Sequence, residues 1–315
     1  MSRDMAREKN NKKIAYYPGC SLNSTAIDYN VSIKKLLNVL GVEFEEIEDW
    51  NCCGTTPAHH TNEELSVALS GRNLILARQN GYEEILCPCV SCYIKLTQAA
   101  NLLNADNESL NEFEQRRRKQ LIADLKDMGL EIEENYNFKI YSILNFLIEN
   151  RPLIKQKYEQ AVQDPDYRRP EILSKLNPAC YYGCVIFRSR DALKFDQAEN
   201  PTSMEKLLED VGIESRKFQF KTECCGAILS LTNKDTVLKL SKGIIEMADD
   251  CGANSLVVFC QLCQQNLDLR QSQINRTFKT SYHIPVIYLT QVLGMALGLS
   301  EKEVMLDRLF VEPAI

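Results

Sequence analysis

The order strand, helix, strand, helix, strand, helix is run through twice, which predicts an α/β protein of two pseudo-symmetric, duplicated half-domains with mainly parallel sheets. Three observations carry this. Hydrophobic periodicity switches between strand and helix along each half. The 13 cysteines fall into two groups of one grammar. The chain of 315 residues, 44% hydrophobic and 25% charged, has room for about two domains with their own cores.

In the first half, Lys13 to Tyr17 is a short strand. Ala26 to Leu40, apolar at Val31, Ile33, Leu36, Leu37 and Leu40, is an amphipathic helix stopped by Gly41. Val42 to Ile47 alternates as a strand. Glu63 to Gln79 has helical spacing at Leu65, Ala68, Leu69, Leu74 and Leu76, Glu83 to Leu86 is a strand, and a helix begins at Cys92. In the second half the expected elements are a helix at Ser203 to Val211, a strand near Phe218 to Phe220, a helix at Asp235 to Asp250, a strand at Ser255 to Phe259 and a helix from Cys263.

The halves also end alike, Phe138 to Leu147 resembling Pro285 to Leu293. Cys92 lies 49 residues before Tyr141, whereas Cys263 lies 25 before Tyr288, so the first half carries an insertion. The charged segment 104–134, with a helix from Leu110 to Met128, accounts for it. Residues 1–154 are therefore read as the first domain, the polar, proline-bearing stretch 155–170 as a linker, and 171–315 as the second domain.

The cysteines mark this duplication more firmly than the periodicity does. The first group reads Gly19-Cys20, Cys52-Cys53-Gly54 and Cys89-Val90-Ser91-Cys92; the second reads Gly183-Cys184, Cys224-Cys225-Gly226 and Cys260-Gln261-Leu262-Cys263. Matching cysteines are offset by 164 (20 to 184), 172 (52 to 224), 171 (89 to 260) and 171 (92 to 263) residues. Chance would supply about 0.02 Cys-Cys-Gly triplets in a chain of this composition, and there are two.

Composition excludes several classes. A net charge of -6, with no basic run longer than Arg116-Arg117-Arg118-Lys119, argues against a nucleic-acid surface. Val286 to Leu299, interrupted by Tyr288, Thr290 and Gln291, is shorter than the ~20 apolar residues of a transmembrane helix. The charged N-terminus has no apolar region behind it, so the expected location is the cytoplasm, with membrane association only through partners. An odd number of cysteines without a secretory signal points to metal or redox chemistry rather than disulfides. The chain carries neither the ferredoxin run C-x2-C-x2-C-x3-C-P nor a G-x-G-x-x-G nucleotide fingerprint, so electrons would have to enter from outside.

In parallel α/β sheets, ligands gather at the carboxyl ends of strands, and each cysteine group falls there. Five thiolates per half exceed the four of a structural zinc, and adjacent cysteines grip a single ion poorly. A cluster of several irons can use neighbouring thiolates on different metals. Gly54 and Gly226 let the backbone turn beside them. Zinc on the C-x2-C pairs, or a thioredoxin-like dithiol, is the alternative, but it leaves Cys20 and both doublets unused.

These motifs resemble the cysteine-rich (CCG) domain pair found in the B subunit of heterodisulfide reductase and its relatives, over nearly the whole chain. The resemblance implies two CCG half-domains, each holding a noncubane [4Fe-4S] cluster. The implied ligands are Cys20, Cys52, Cys53, Cys89 and Cys92 for one, and Cys184, Cys224, Cys225, Cys260 and Cys263 for the other. It further implies an oxidoreductase subunit that reduces or forms a disulfide-type bond of a disulfide or thiol substrate. Electrons would pass through a small ferredoxin-type iron-sulfur subunit and a flavoprotein subunit. Relatives of the same build serve sulfur-oxidising systems, and others relay electrons from succinate, lactate or glycolate dehydrogenases to quinone. Cys87, Cys180 and Cys251 stand outside both sets, Cys180 being the first candidate for an extra ligand; His59, His60 and His283 receive no role.

Overall fold

The computed structural model describes residues 13–55, 58, 61–104, 109–133, 135–188 and 195–313. The elements in chain order are β1 Ile14–Tyr16, α1 Gly19–Leu22, α2 Ile27–Leu40, β2 Phe44–Glu46, α3 Glu63–Gln79, β3 Glu84–Leu86, α4 Val90–Asn104, α5 Glu112–Asp127, β4 Lys139–Tyr141 and α6 Ile143–Glu149. They continue with α7 Arg151–Gln163, α8 Glu171–Lys175, β5 Pro178–Cys180, α9 Val185–Arg188, α10 Ser203–Glu209, α11 Lys234–Asp250, β6 Ser255–Val258, α12 Gln261–Leu267, α13 Gln271–Phe278, β7 Val286–Tyr288 and α14 Leu289–Ala296. One sheet has the order β2-β1-β3-β4 and the other β5-β6-β7, with every pair parallel. The predicted α/β class with duplicated parallel sheets is the one observed.

The strands are short; the inner ones are buried on both faces, as parallel strands covered by helices must be, while the edge strands β2 and β4 are partly exposed. Ile14, Ala15 and Tyr16 of β1 and all four residues of β6 are buried. Helix α3 starts on Asn62, whose side chain accepts from the amides of Glu64 and Leu65, and packs its Val67, Ala68, Leu74 and Ile75 face inward. The inserted helix α5 begins within two residues of its expected start, on a capping box in which Asn111 and Glu114 satisfy each other's backbone amides.

Two local expectations fail. The strand near Phe218 to Phe220 does not form: a single parallel bridge, Ala179 to Arg216, stands where β2 pairs with β1 over three residues. Lys221 O is then taken by the amides of Tyr182 and Gly183. Phe218 is buried by packing alone, which an alternating apolar pattern does not distinguish from a ladder. The stretch 155–170, read as a linker, is largely helix α7, with Pro152 in its first turn. Its lysine, glutamine, glutamate and alanine residues favour helix without an apolar stripe, and Ile154 is its one buried residue. Past its end, Arg169 donates to Tyr158 Oη (2.7 Å) and Val211 O (3.1 Å).

The compact units do not follow the sequence halves. Residues 13–24 and Gly41–Phe146 belong to one; Thr25–Leu40, Leu147–Arg188 and Phe195–Ile315 belong to the other. Helix α2, encoded between β1 and β2, is thus part of the second unit, where it packs on α14. Tyr29 stacks on Tyr288 with ring centroids 4.2 Å apart and donates its hydroxyl to Phe259 O. Ser32 Oγ meets Thr290 Oγ1 at 2.8 Å, and Ile33, Leu36 and Leu37 are fully buried. Periodicity showed that α2 has an apolar face and could not show which core receives it. Removing the hydroxyl in Tyr29→Phe orphans a buried carbonyl and should cost ~1–3 kcal/mol in urea unfolding, whereas Tyr158→Phe, on the surface of α7, should cost well under that.

Candidate functional site: two cysteine constellations

Each unit brings one cysteine group together at the carboxyl ends of its parallel strands, and the two are built alike. In the first, the chain leaves β1 through Tyr17, whose amide donates to Leu86 O (2.9 Å) and whose hydroxyl donates to Asn51 O (2.8 Å), the residue before the doublet. In the second, Tyr181 N donates to Val257 O (2.9 Å) and its hydroxyl to Glu223 O (2.7 Å), again the residue before the doublet. Two residues later Gly19 and Gly183 both take φ of +72°. A Cβ on Gly19 would lie 3.0 Å from Cys92 Sγ, and one on Gly183 would lie 3.0 Å from Cys263 Sγ. Only glycine permits both this hand of φ and this approach.

The doublets are fixed from behind. Ser70 Oγ donates to Cys53 O and Ser241 Oγ to Cys225 O, each at 3.2 Å. Gly54 and Gly226 turn at φ of +74° and +79°, and a Cβ on either would press on the following helix, at Ser66 Cα (3.2 Å) or Val237 Cα (3.3 Å). The last two cysteines sit at helix starts. Helix α4 begins at Val90 and α12 at Gln261, each earlier than expected, so Cys92 and Cys263 lie inside the first turn. Cys89 O and Cys260 O accept from Tyr93 N and Gln264 N. Amides and the positive helix end therefore face both sulfur groups.

The sulfurs form connected strings. Cys20 hydrogen-bonds Cys52, Cys52 bonds Cys53, Cys53 Sγ reaches Cys92 Sγ at 3.2 Å, and Cys92 also contacts Cys89 and Cys87. In the second unit Cys184 bonds Cys224, Cys225 Sγ lies 3.7 Å from Cys263 Sγ, and Cys263 bonds Cys260. Cys20 is exposed, Cys52, Cys224 and Cys260 are half-buried, and the other six of the ten are buried. Gly226 N donates to Cys224 Sγ (3.3 Å), and the Gly54 amide does the same for Cys52.

Each string favours one thiolate. The Cys20 and Cys53 thiols hold Cys52 down to about 2, while Cys20, sharing its proton with Cys52, is pushed well up. In the second unit the thiol of Cys263 lowers Cys225 to about 7 against the opposing effect of burial, and burial pushes Cys184 up to about 12.

Of the three leftover cysteines, Cys87 rather than Cys180 joins a constellation: it is buried on the loop after β3 within hydrogen-bonding reach of Cys92. Cys180 ends β5 facing Ser215, and Cys251 Sγ donates to Ala248 O (3.2 Å) at the end of α11. His59 and His60 lie outside the described residues. His283 is engaged with Glu312 O at 2.8 Å, away from the sulfurs. Sequence reading missed Ser70 and Ser241, although they share the 171-residue offset of the C-x2-C pairs, and Tyr17 and Tyr181, which share the 164-residue offset of Cys20 and Cys184.

Among the described residues, no three donors stand in the geometry that grips a single metal ion, and no helix is long and apolar enough to cross a membrane. Five thiols per unit, amide donors at the doublets and glycine-thinned backbone are the donor chemistry of a thiolate-held iron-sulfur group.

A fold of two parallel sheets, each closing five cysteines over its strand ends, defines a cysteine-rich redox module in tandem. The model of the cysteine-rich domain, CCG, matches residues 14–97 and 179–268, and the chain belongs to this family, in the lineage of the heterodisulfide reductase B subunits. It is 31% identical over 297 residues to the 8-methylmenaquinol:fumarate reductase membrane anchor subunit of Wolinella succinogenes, covering 94% of this chain and 96% of that one. It is 24% identical over 299 residues to the B subunit of the ferredoxin/F420H2-dependent CoB-CoM heterodisulfide reductase of Methanosarcina acetivorans, covering 94% and 93%. The relatives are thus subunits of redox enzymes. A crystal structure of a hypothetical protein from Helicobacter pylori shares the fold, with a TM-score of 0.67 and 14% identity over 96% of this chain; the chain spans 52% of that one.

The close approach at Gly19 and Gly183 can be isolated from strain. Gly252 has the same hand of φ, +73°, with nothing within 4 Å of where a Cβ would stand, so Gly252→Ala should cost only the ~1–2 kcal/mol of a left-handed alanine. Gly183→Ala should in addition change the alkylation rate of Cys263 and leave Cys92 alone, and Gly19→Ala the reverse. Peptide mass mapping of alkylated thiols reads both, and equal effects of Gly252→Ala and Gly183→Ala on Cys263 would remove the role given to the contact.

Proposed function

We propose that this chain is the iron-sulfur subunit of a heterodisulfide-reductase-like complex. It would carry two noncubane [4Fe-4S] clusters that reduce or form a disulfide-type sulfur bond. Cys20, Cys52, Cys53, Cys89 and Cys92 would hold one cluster, and Cys184, Cys224, Cys225, Cys260 and Cys263 the other. The observation that carries the reading is that all ten cysteines gather, five per unit, on scaffolds that repeat the same tyrosine, glycine and serine contacts. Bound there, the clusters would supply one-electron steps beside open sulfur coordination, so that a two-electron disulfide couple could be served by the pair.

The chain's own residues hold and insulate. The Tyr17 and Tyr181 hydroxyls and the Ser70 and Ser241 hydroxyls pin the doublet loops. The amides of Gly54 and Gly226 donate to sulfur, which offsets anionic charge without a mobile side chain. A substrate sulfur would arrive on the accessible side of each group, where Cys20 is exposed in the first and Cys224 and Cys260 are half-buried in the second. Electrons would be exchanged through a small ferredoxin-type subunit and a flavoprotein subunit, with the complex in the cytoplasm or held at the membrane by its partners.

A second reading is a relay that passes electrons between a dehydrogenase or reductase and a quinone. It is favoured by the 31% identity to a menaquinol:fumarate reductase subunit, against 24% to the methanogen subunit.

Anaerobically purified protein should be brown and contain ~8 irons, four for each cluster; a colourless protein with stoichiometric zinc would overturn the assignment. Cys53→Ser or Cys225→Ser should lose about half of that iron, while Cys251→Ser keeps it, since only the first two lie in a doublet. Iron per chain is the measurement, and equal losses from Cys251→Ser and Cys225→Ser would void the ligand sets.

The two readings separate on substrate. With a chemical electron donor, the sulfur reading expects disulfide cleavage and altered cluster spectra on adding thiols, and the relay reading expects neither but oxidation by a quinone analogue. Full turnover of the isolated chain with a nicotinamide or flavoprotein donor would remove the need for partner subunits.

A further inference from the structure

The two constellations repeat their tyrosine, glycine and serine contacts, and they differ in what holds the residue between the tyrosine and the glycine. In the first unit that residue is Pro18, whose ring fixes φ, here -69°, and which has no amide to donate. In the second unit, at the same 164-residue offset, it is Tyr182, whose ring does not fix φ and whose buried amide needs a partner. Both turns must still bring a glycine at φ of +72° and then a cysteine to the sulfur group.

That partner is Lys221. Its carbonyl accepts from Tyr182 N (2.8 Å) and Gly183 N (3.1 Å), so one oxygen holds both residues that precede Cys184. The Lys221 side chain is turned inward, 11% exposed; its Nζ lies 2.6 Å from Glu205 Oε1 and donates to Pro201 O (2.8 Å). Glu205 also accepts from the Tyr182 hydroxyl, which in turn accepts from Met204 N (2.7 Å). The turn is therefore tied twice to the start of α10, through the Lys221 carbonyl and through the Tyr182 hydroxyl. Cys180 is fully buried beside the same two charges, so the pair is set in the interior of the unit. In the first unit the position of Lys221, counted by the 172-residue offset of the doublets, is Asp49. Its carbonyl accepts from Arg72 Nη1 (2.6 Å) at the surface instead.

A proline ring holds its φ whatever surrounds it, whereas a buried ion pair that loses one member strands the other charge and releases what it held. We propose that Lys221 and Glu205 are positioning residues for Cys184: they hold through charge the turn that Pro18 holds through its ring. The first cysteine of the second constellation is thus set by a clamp that the first constellation lacks. Both residues act through Tyr182 and Gly183. The iron-loaded part of the test rests on the reading that the constellations hold iron-sulfur clusters; the iron-free part does not.

In the iron-free full chain, alkylation and peptide mass mapping should find Cys184, which is buried in the unaltered chain, labelled at least ~5-fold faster in Lys221→Met, with Cys92 unchanged. Lys221→Arg, which keeps the charge, should restore slow labelling. Arg151→Met is the control: it removes the ion pair with Asp210 (3.1 Å) past the other end of α10 and should leave Cys184 alone. In the iron-loaded chain, Lys221→Met should change the electron paramagnetic resonance signal that Cys225→Ser removes and leave the signal that Cys53→Ser removes.

If Lys221→Met does not fold, Tyr182→Phe decides, since it cuts one tie and leaves Lys221 and Glu205 paired: it should speed the labelling of Cys184 at least ~2-fold. The proposal is overturned if Cys184 keeps its unaltered rate in the variant that decides, if Arg151→Met speeds it equally, or if Lys221→Arg labels like Lys221→Met. Absence of iron from the unaltered chain would sink the cluster reading and leave the labelling result standing, which keeps the two failures apart.

Discussion

Sulfur atoms from three separate loops can meet only if the backbone between them is thin, and that constraint governs both units. At Gly19 and Gly183 the chain passes so close to Cys92 and Cys263 that a Cβ would sit 3.0 Å from sulfur. Such a contact relaxes only by turning the cysteine side chain, which carries the sulfur out of the constellation. The tyrosine two residues earlier, Tyr17 or Tyr181, ties the same turn to the residue before the doublet. One glycine and one hydroxyl therefore set the relative position of all three cysteine-bearing loops, and the parallel sheet supplies the common edge from which they depart.

The sequence made this geometry partly legible. Register was legible because duplication gives each landmark a second witness: the 171-residue offset that pairs Cys92 with Cys263 also pairs Ser70 with Ser241, whose hydroxyls make the same bond. Long helices such as α3 and α11 were readable from periodicity, and in the structure each starts on an asparagine whose side chain caps the first amides. The strand expected near Phe218 was not real because alternation records burial, and burial at Phe218 comes without a ladder. Helix α7 was invisible to periodicity because one anchor, Ile154, suffices for a helix whose other faces are solvated.

Which core a helix joins is a different kind of information. The apolar stripe of α2 is evident from Ile33, Leu36 and Leu37, yet its assignment to the second unit depends on Tyr29 finding Tyr288 and Phe259, and on Ser32 finding Thr290. Those partners lie about 230 to 260 residues away, beyond any local pattern. Domain boundaries drawn at the linker of a duplicated chain assume that each half buries its own helices. Here the compact units exchange that assumption for a break at Leu40 and Gly41. The cysteine groups survive this intact, because no cysteine lies between residues 25 and 40. The scaffold of each constellation is drawn from one unit even though the helices are not allotted by halves.

Duplication also explains why the two constellations need not be equivalent. Identical backbone requirements hold Gly19 and Gly183, Ser70 and Ser241, and the doublets in place, because a change at any of them moves a sulfur. Side chains that only look toward the sulfurs are under no such geometric control. Lys95 and Asn266, Thr55 and Ala227, and Cys87 and Val258 all occupy matched positions with different chemistry. In a pair of sites with one skeleton, these positions are where the chemistry beside the sulfurs is free to diverge.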